Sequence, residues 1–210
     1  MSKIIQTIPF RVLLHFPYLI NMAIGLGVYI VCLILFFRHK KPFQNLCLAL
    51  LFMYLAIVAA ITLSFPPPGS WHISARSTAL AIKSIQWVPF LSAGRMLHNS
   101  FVSGNFHEFI RIIGGNLLLL MPLGILVPLI NPRFRIGRMI LLAVAVPVFI
   151  EGMQLVGNIL IGRIIRTVEV EDVVLNAAGC LIAYLIFAGF RKLFQPKNKA
   201  KHMRKRKRGY

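Results

Sequence analysis

Long apolar stretches constrain this chain more than any other feature of its sequence. They cover approximately residues 18–37, 43–65, 112–130, 139–160 and 173–190. Each has close to the ~20 residues that a helix needs to cross the ~30 Å hydrocarbon core of a bilayer. Because backbone N–H and C=O groups find no water inside lipid, such stretches fold as helices with internal hydrogen bonds. We therefore predict an all-α integral membrane bundle of about five transmembrane helices.

The composition agrees with a membrane protein and argues against a soluble one. The 210 residues are 58% hydrophobic and 14% charged, with a mean hydropathy of +0.76. A soluble domain of this length needs a more polar surface. The formal net charge of +19 is large enough to attract nucleic acid. However, ten of the 24 Lys and Arg lie in residues 191–210, which predicts a topology anchor, and we expect no nucleic-acid partner.

Basic residues between the apolar stretches indicate the orientation. Residues 38–41 and 131–138 each contain three Lys or Arg, and these turns and the tail contain no acidic residue. The three segments alternate along the chain so that they share one side, which the positive-inside rule makes cytoplasmic. We therefore predict a multi-pass cell-membrane protein with its N-terminus outside and its C-terminus in the cytoplasm. The predicted parts are a two-span hairpin, residues 1–65; a membrane domain, residues 66–190; and a basic tail, residues 191–210.

The segment 66–111 is too long to be a simple connector between two spans. It mixes apolar residues with isolated Arg, Lys and His, and it contains both tryptophans, Trp71 and Trp87. Indole rings favour the boundary between lipid and water, so we expect this amphipathic segment at the outer face. Two compatible interpretations stay open: a segment that rests on the membrane surface, or a lid over a site.

An acidic cluster stands out in this basic chain. Four of the five acidic residues lie between positions 151 and 172: Glu151, Glu169, Glu171 and Asp172. Ionisable groups within a membrane are costly and usually functional. Glu151 lies inside an apolar stretch, where a carboxylate needs a partner or a proton. The sequence therefore predicts a functional site at this cluster.

Helix depth brings further polar residues to the same level. Measured from the predicted ends of their spans, Asn116, Glu151 and Asn176 lie about 6, 12 and 5 Å below the outer face. Gln154 shares one helical face with Glu151, and Asp172 shares another with Asn176. We therefore expect one polar pocket in the outer half of the membrane.

Structural roles are the alternative for most of these residues. Amide side chains often link neighbouring helices through hydrogen bonds, which is the alternative for Asn116, Asn158 and Asn176. Asp172 or Glu171 would cap the fifth helix. Arg166 would form a weak interfacial ion pair with Glu169 or Glu171. Glu151 is too deep for either role, so function is the first hypothesis for it.

Five short elements follow one another in order over about residues 84–190. They are Trp87-Val88-Pro89-Phe90; Gly115-Asn116 with Pro122-Leu123-Gly124; Glu151-Gly152-Met153-Gln154; Arg166 followed by Glu169-Val170-Glu171-Asp172; and Asn176-Ala177-Ala178-Gly179. This order resembles that of the VanZ-like family. Glu169 and Glu171 stand where the family commonly has aspartate, which keeps the charge and changes its reach by one methylene.

The resemblance implies a membrane protein linked to resistance to the glycopeptide antibiotic teicoplanin. One proposal groups the family with enzymes that act on lipid phosphate headgroups. The first of three hypotheses is an enzyme that acts on a lipid-linked envelope precursor in the outer leaflet. The expected catalytic residues are Glu151, Arg166 and Asp172, and the expected substrate contacts are Asn116, Gln154, Asn176, Pro89 and Phe90. A divalent cation such as Mg²⁺ would be held by Glu169, Glu171 and Asp172.

Two other functions remain open from the sequence. A non-catalytic binder or accessory protein for envelope lipids needs the same pocket without acid–base chemistry. An ion-coupled transporter is a weaker alternative, because five spans without an evident inverted repeat differ from the usual transporter architecture. The sequence alone does not decide between an enzyme and a binder.

Overall fold

A computed structural model describes residues 23, 25–37, 41–63 and 71–194, and helices dominate it. In chain order they are α1 (Gly25–Leu35), α2 (Pro42–Thr62), α3 (Ala75–Lys83), α4 (Leu91–Ser103), α5 (His107–Leu119), α6 (Met121–Ile130), α7 (Ile136–Ile161) and α8 (Val170–Phe194). Four segments of the described chain are long and apolar enough to cross a membrane: α2, the pair α5–α6, α7 and α8. The predicted all-α membrane architecture is confirmed.

The first predicted span is only partly covered. Helix α1 occupies the second half of the range 18–37 and continues into a π-helical turn, Leu33–Phe37. Residues 18–22 lie outside the described residues, as do most of the basic turn 38–41 and the tail beyond Phe194. The other four spans are found, and they are longer than the apolar stretches at most ends because helical hydrogen bonding continues through polar residues that the apolar windows exclude.

Helix α8 lies at the centre of the bundle. It packs against α5, α6 and α7, while α2 packs against α6 and α7. The buried core includes Val58, Leu120, Leu123, Met139, Ala143, Ile150, Ala177, Cys180 and Tyr184. Other large apolar side chains, such as Leu141 and Phe149, are exposed on the outside of the bundle. In a bilayer they contact lipid at no cost, so the helices associate through close packing rather than through a hydrophobic driving force.

Two glycines bring helix backbones into direct contact. A Cβ added at Gly179 would lie 1.7 Å from the backbone oxygen of Leu117 in α5. A Cβ added at Gly124 in α6 would lie 2.2 Å from the backbone oxygen of Cys180. Small residues at such positions let membrane helices approach closely. The contact at Leu117 places the neighbouring residue, Asn116, against the beginning of α8.

The span α5–α6 is broken at Leu120, where φ is −105° and ψ is 7°. Pro122 follows in the first turn of α6. Proline lacks an amide hydrogen and its ring crowds the carbonyl four residues earlier, so it interrupts the helical hydrogen bonds. The hydroxyl of Tyr54 in α2 donates to the Leu119 carbonyl at 2.5 Å. This bond satisfies a backbone acceptor that water does not reach inside lipid.

The described parts of the basic segments lie together at one end of the bundle. Gln44, at the start of α2, donates to the carbonyl of Ile130 at 3.1 Å. Arg191, near the end of α8, donates to the carbonyl of Pro132 at 3.0 Å. These contacts join the start of α2, the α6–α7 turn and the end of α8. The acidic cluster lies at the opposite end, and the assignment of that end to the outside stays a prediction from charge.

Candidate functional site

A cavity of about 670 Å³ opens at the end of the bundle opposite the basic segments. Its wall is formed by the end of α2, by α4, α5 and α7, and by the start of α8 with the loop before it. Eight residues predicted for the site line it: Asn116, Glu151, Gln154, Arg166, Glu169, Glu171, Asp172 and Asn176. The predicted convergence of these side chains is therefore present, while their chemical roles stay predictions.

The polar side chains lie farther from the helix ends than they do from the ends of the apolar stretches in the sequence. Counted from the helix ends at the cavity, Asn116, Glu151 and Asn176 lie about 14, 15 and 9 Å along their helices. The difference arises because α5 begins at His107 and α8 at Val170, before the apolar stretches begin. The three residues still lie in the half of the bundle that contains the cavity, and all three line it.

Asp172 is held by two amide side chains. Asn116 Nδ2 donates to Asp172 Oδ1 at 2.5 Å, and Asn176 Nδ2 donates to the backbone oxygen of Asp172 at 2.7 Å. Asn116 thus makes the helix-linking contact that was its structural alternative, whereas the bond of Asn176 lies within α8. Asn176 is only 3% exposed, and its Oδ1 has no hydrogen-bond partner among the described residues. These contacts account for one carboxylate oxygen of Asp172 and leave the amide oxygen of Asn176 unused.

Glu151 is a buried carboxylate, 6% exposed, in the middle of the cavity wall. Its Oε2 accepts a hydrogen bond from the backbone N–H of Glu169 at 3.2 Å. Within the described part of the chain the ion pair that forms is Arg111–Glu108, 3.7 Å apart, and none involves Glu151. One neutral donor compensates a buried carboxylate only partly, so this group is suited to exchange a proton or bind a cationic ligand.

Hydrogen bonds from the side chain of Asn158 hold the loop between α7 and α8. This side chain is 2% exposed; its Nδ2 donates to the Arg166 carbonyl at 2.7 Å, and its Oδ1 accepts from the Ile165 N–H at 2.8 Å. Helix α7 ends at Gly162 with a φ of 74°, and a side chain there would meet the His72 carbonyl at 2.4 Å. Asn158 shares a face with Glu151, yet it supports the loop rather than lining the cavity.

Arg166 lies exposed in this loop at the edge of the cavity. Its Nη2 donates to the carbonyl of Ile61 at the end of α2, at 2.7 Å. The alternative ion pair with Glu169 or Glu171 is not formed in the described structure. Because a guanidinium carries several N–H donors, most of them stay available for an anion.

Glu171 caps a helix, but not the one expected. It is 4% exposed, and its Oε2 accepts a hydrogen bond from the backbone N–H of Ala93 in the first turn of α4 at 3.3 Å. A carboxylate at that position satisfies an unpaired amide and suits the helix dipole. The sequence suggested a cap on α8 because Glu171 lies in the first turn of that helix. The fold instead turns its side chain toward α4.

The described part of the segment 66–111, which begins at Trp71, is docked on the acidic loop. The N–H of Gln86 donates to the Val168 carbonyl at 2.9 Å, and the N–H of Val170 donates to the Gln86 carbonyl at 3.1 Å. Ser92 of α4 lines the cavity, whereas Phe101 and Val102 are exposed. Helix α4 therefore forms part of the wall, as a lid would, and also presents an apolar surface.

Pro89 and Phe90 are not among the residues that line the cavity. The pairing at Gln86 leaves them beside the acidic loop, where both are exposed. Phe90 has a φ of 64°, which is unusual for a bulky residue, and it precedes the first turn of α4. It borders a separate groove of about 450 Å³ together with Arg95 and His98. The structure thus does not bring these two predicted substrate contacts to the other site residues.

The three predicted metal ligands border the same cavity but point to different partners. Glu171 binds the α4 amide and Asp172 binds Asn116, as described above. Across the described ranges, no group of three or more His, Cys, Asp or Glu is arranged to hold a metal ion. The carboxylates of Glu169, Glu171 and Asp172 therefore form no ready ligand set in this conformation.

Sequence reasoning missed several residues of the cavity wall, including Thr62, Ser92 and Arg111. Arg111 lies one turn before Gly115 on α5, so helical periodicity would have found it had the span been extended. Thr62 and Ser92 come from the end of α2 and from α4, whose positions depend on tertiary contacts alone. No local signal marks them.

Comparison with known proteins gives a family match. The model of the VanZ/LLP1 family matches residues 50–194. The matched range contains all of the cavity wall and most of α2, which the short sequence elements did not reach. No curated protein and no solved structure matches the chain.

Proposed function

This chain belongs to the VanZ/LLP1 family, and on that premise we propose that its cavity binds and cleaves a phosphate-bearing lipid headgroup at the outer surface of the cell membrane. The headgroup would belong to a lipid-linked precursor of the cell envelope, which would connect the site to glycopeptide susceptibility. The observation that carries the proposal is Glu151. Its carboxylate is buried in a cavity wall without a cationic partner among the described residues.

The cavity offers the groups that phosphoester hydrolysis needs. Water supplies the new oxygen on phosphorus, the bond from phosphorus to the leaving oxygen breaks, and that oxygen takes up a proton. We assign Glu151 as the proton donor to the leaving oxygen, and Asp172 as the base that accepts the proton lost by the water. Both carboxyl groups keep one oxygen without a hydrogen bond to the described residues, so each has an oxygen that can exchange a proton with the substrate or water.

We assign the binding of the phosphate group to Arg166. It lies at the rim, where the phosphate of a membrane lipid would be found, and it has unused N–H donors. A guanidinium binds phosphate oxygens through paired, charge-assisted hydrogen bonds. Gln154 and Asn116 line the wall between the two carboxylates and would orient the headgroup.

The proposal is tested with the purified full-length chain in nanodiscs. Polyprenyl phosphate, polyprenyl diphosphate and common phospholipids are supplied separately, with Mg²⁺ or with EDTA, and released phosphate and headgroups are measured by mass spectrometry. We expect Glu151→Gln and Asp172→Asn to lower the rate about 10²- to 10⁴-fold, as loss of an acid or base usually does.

Glu108→Gln is the matched control, because Glu108 is the one acidic residue outside the cluster and is exposed on α5. It should retain the wild-type rate. Turnover that Glu151→Gln leaves unchanged would remove Glu151 from the mechanism.

A non-catalytic lipid binder is the second candidate, and specific contacts favour it. Glu151, Glu171 and Asp172 each accept a hydrogen bond from a different element of the chain, so all three stabilise the fold. A binder predicts that teicoplanin protection of cells survives Glu151→Gln and is lost when Gly179 is enlarged. An enzyme predicts that both changes abolish protection.

A further inference from the structure

The buried amide of Asn176, a residue that lines the cavity, has an unused acceptor. Its Nδ2 donates to the Asp172 carbonyl, which can only accept, so the side-chain oxygen must point away from that carbonyl. That oxygen, in a side chain 97% shielded, has no partner among the described residues. Asn45 Oδ1, in α2, is the other such atom, and Asn45 does not line the cavity. A buried polar atom without a partner costs free energy, which indicates that a ligand donor belongs there.

Two carboxylate oxygens accompany this amide oxygen. Asp172 is one helical turn before Asn176, and only its Oδ1 is used, by Asn116. Glu151 is tied to the backbone of Glu169, and only its Oε2 is used. Glu151, Asp172 and Asn176 therefore each keep one unused acceptor, and two of these belong to acids. The side chains of Glu169 and Gln154 also line the cavity. Arg166, at the rim of the cavity, provides N–H donors.

We propose that the headgroup bound here carries a primary ammonium group, as in an aminoalkyl phosphate lipid. This inference rests on the proposed function, because it takes the phosphate to be held by Arg166. A primary ammonium has three N–H donors, which match the three unused acceptors of Glu151, Asp172 and Asn176. Its charge also offsets that of the Asp172 carboxylate.

Other headgroups match this wall less well. A quaternary ammonium carries the charge but has no N–H, so it leaves all three acceptors unpaired. A glycerol headgroup offers hydroxyl donors but no positive charge. A bare phosphate brings no positive charge to the acidic side chains. The wall therefore selects for both the charge and the hydrogen atoms of a primary amine.

The test compares three short-chain lipids that differ only in the headgroup. Dihexanoyl phosphatidylethanolamine, phosphatidylcholine and phosphatidylglycerol are titrated into the full-length protein in detergent, and binding is measured by calorimetry with EDTA present. We expect the ethanolamine lipid to bind about 10- to 100-fold more tightly than the other two, the usual effect of charge-assisted hydrogen bonds to buried acceptors.

Variants of the cavity residues test whether Asp172 and Asn176 cause the preference for the ethanolamine lipid. Asp172→Asn keeps the size of the side chain and an oxygen that accepts from Asn116, so the fold should persist while the preference falls below about 3-fold. Asn176→Leu should act likewise. Asn45→Leu is the matched control, since it removes the other unpaired buried amide oxygen, and it should keep the preference. Arg166→Gln should weaken all three lipids equally.

The outcomes separate this inference from the proposed function. Equal binding of the three lipids, with all of them weakened by Arg166→Gln, would overturn the ammonium assignment and leave the phosphate site standing. Tighter binding of phosphatidylglycerol, or an ethanolamine preference that Asp172→Asn leaves intact, would also overturn the assignment. Absence of binding by all three lipids would overturn both proposals.

Discussion

Replacing Gly179 with alanine tests whether the site depends on the direct contact between α5 and α8. The added Cβ would lie 1.7 Å from the Leu117 backbone oxygen, whereas real Cβ contacts essentially never fall below 3.0 Å. Because the obstacle is backbone, the two helices must separate by at least about 1.3 Å. Asn116 precedes Leu117, so the same displacement would stretch its 2.5 Å bond to Asp172 beyond hydrogen-bonding range.

The expected loss of stability follows from three effects. Overpacking a close contact costs typically about 1–3 kcal/mol. Breaking a hydrogen bond to a charged group costs about 1.5–3 kcal/mol. Alanine regains up to about 1 kcal/mol over glycine in helix propensity. The free energy of unfolding should therefore fall by about 2–5 kcal/mol.

Gly189→Ala is the matched control, because a Cβ at Gly189 in the same helix meets no atom within 4 Å. It should leave stability unchanged or raise it by up to about 1 kcal/mol. Both variants are compared by thermal unfolding in detergent, followed by circular dichroism, and by lipid binding. Equal unfolding midpoints and equal binding for the two alanines would refute the α5–α8 contact and its role in forming the cavity.

Three further predictions concern the surroundings of the site. Asn158→Leu removes three hydrogen bonds to the loop before α8; it should cost about 1–3 kcal/mol and speed proteolysis of that loop, and unchanged cleavage would contradict the role of Asn158. Glu171→Ala removes the α4 cap and should cost about 0.5–2 kcal/mol. Hydrogen exchange of α4 should rise selectively, and uniform exchange would argue against capping. Finally, in a background without native thiols, Arg163→Cys should react with an impermeant maleimide in intact cells and Arg133→Cys only after permeabilisation; the reverse pattern would invert the topology.

The parts of the fold that the sequence predicted correctly depend on local properties. Apolar length located four of the spans, because each helix satisfies its own backbone and needs only enough apolar residues to cross lipid. The break near Pro122 has a local cause as well, because proline lacks the amide hydrogen. Depth along a helix is also local, so counting residues placed Asn116, Glu151 and Asn176 in the same half of the bundle, where all three line the cavity.

The direction in which side chains turn could not be predicted in the same way. Glu171 faces α4 because Gln86 pairs with the loop before α8, and that pairing joins segments about 80 residues apart. Pro89 and Phe90 lie outside the cavity for the same reason. Thr62 and Ser92 enter the wall through helix packing, which leaves no periodic signal in either segment.

The sequence by itself determined that this is a membrane bundle of the VanZ/LLP1 family with its acids at one end and its basic segments at the other. Hydropathy and charge decide those properties because each residue's transfer between water and lipid is nearly independent of its neighbours. Only the tertiary structure decided which polar atoms are used and which are not. Asn116 reaches Asp172 because Gly179 lets α8 pack against α5, and a hydrogen bond depends on that distance far more steeply than hydropathy does.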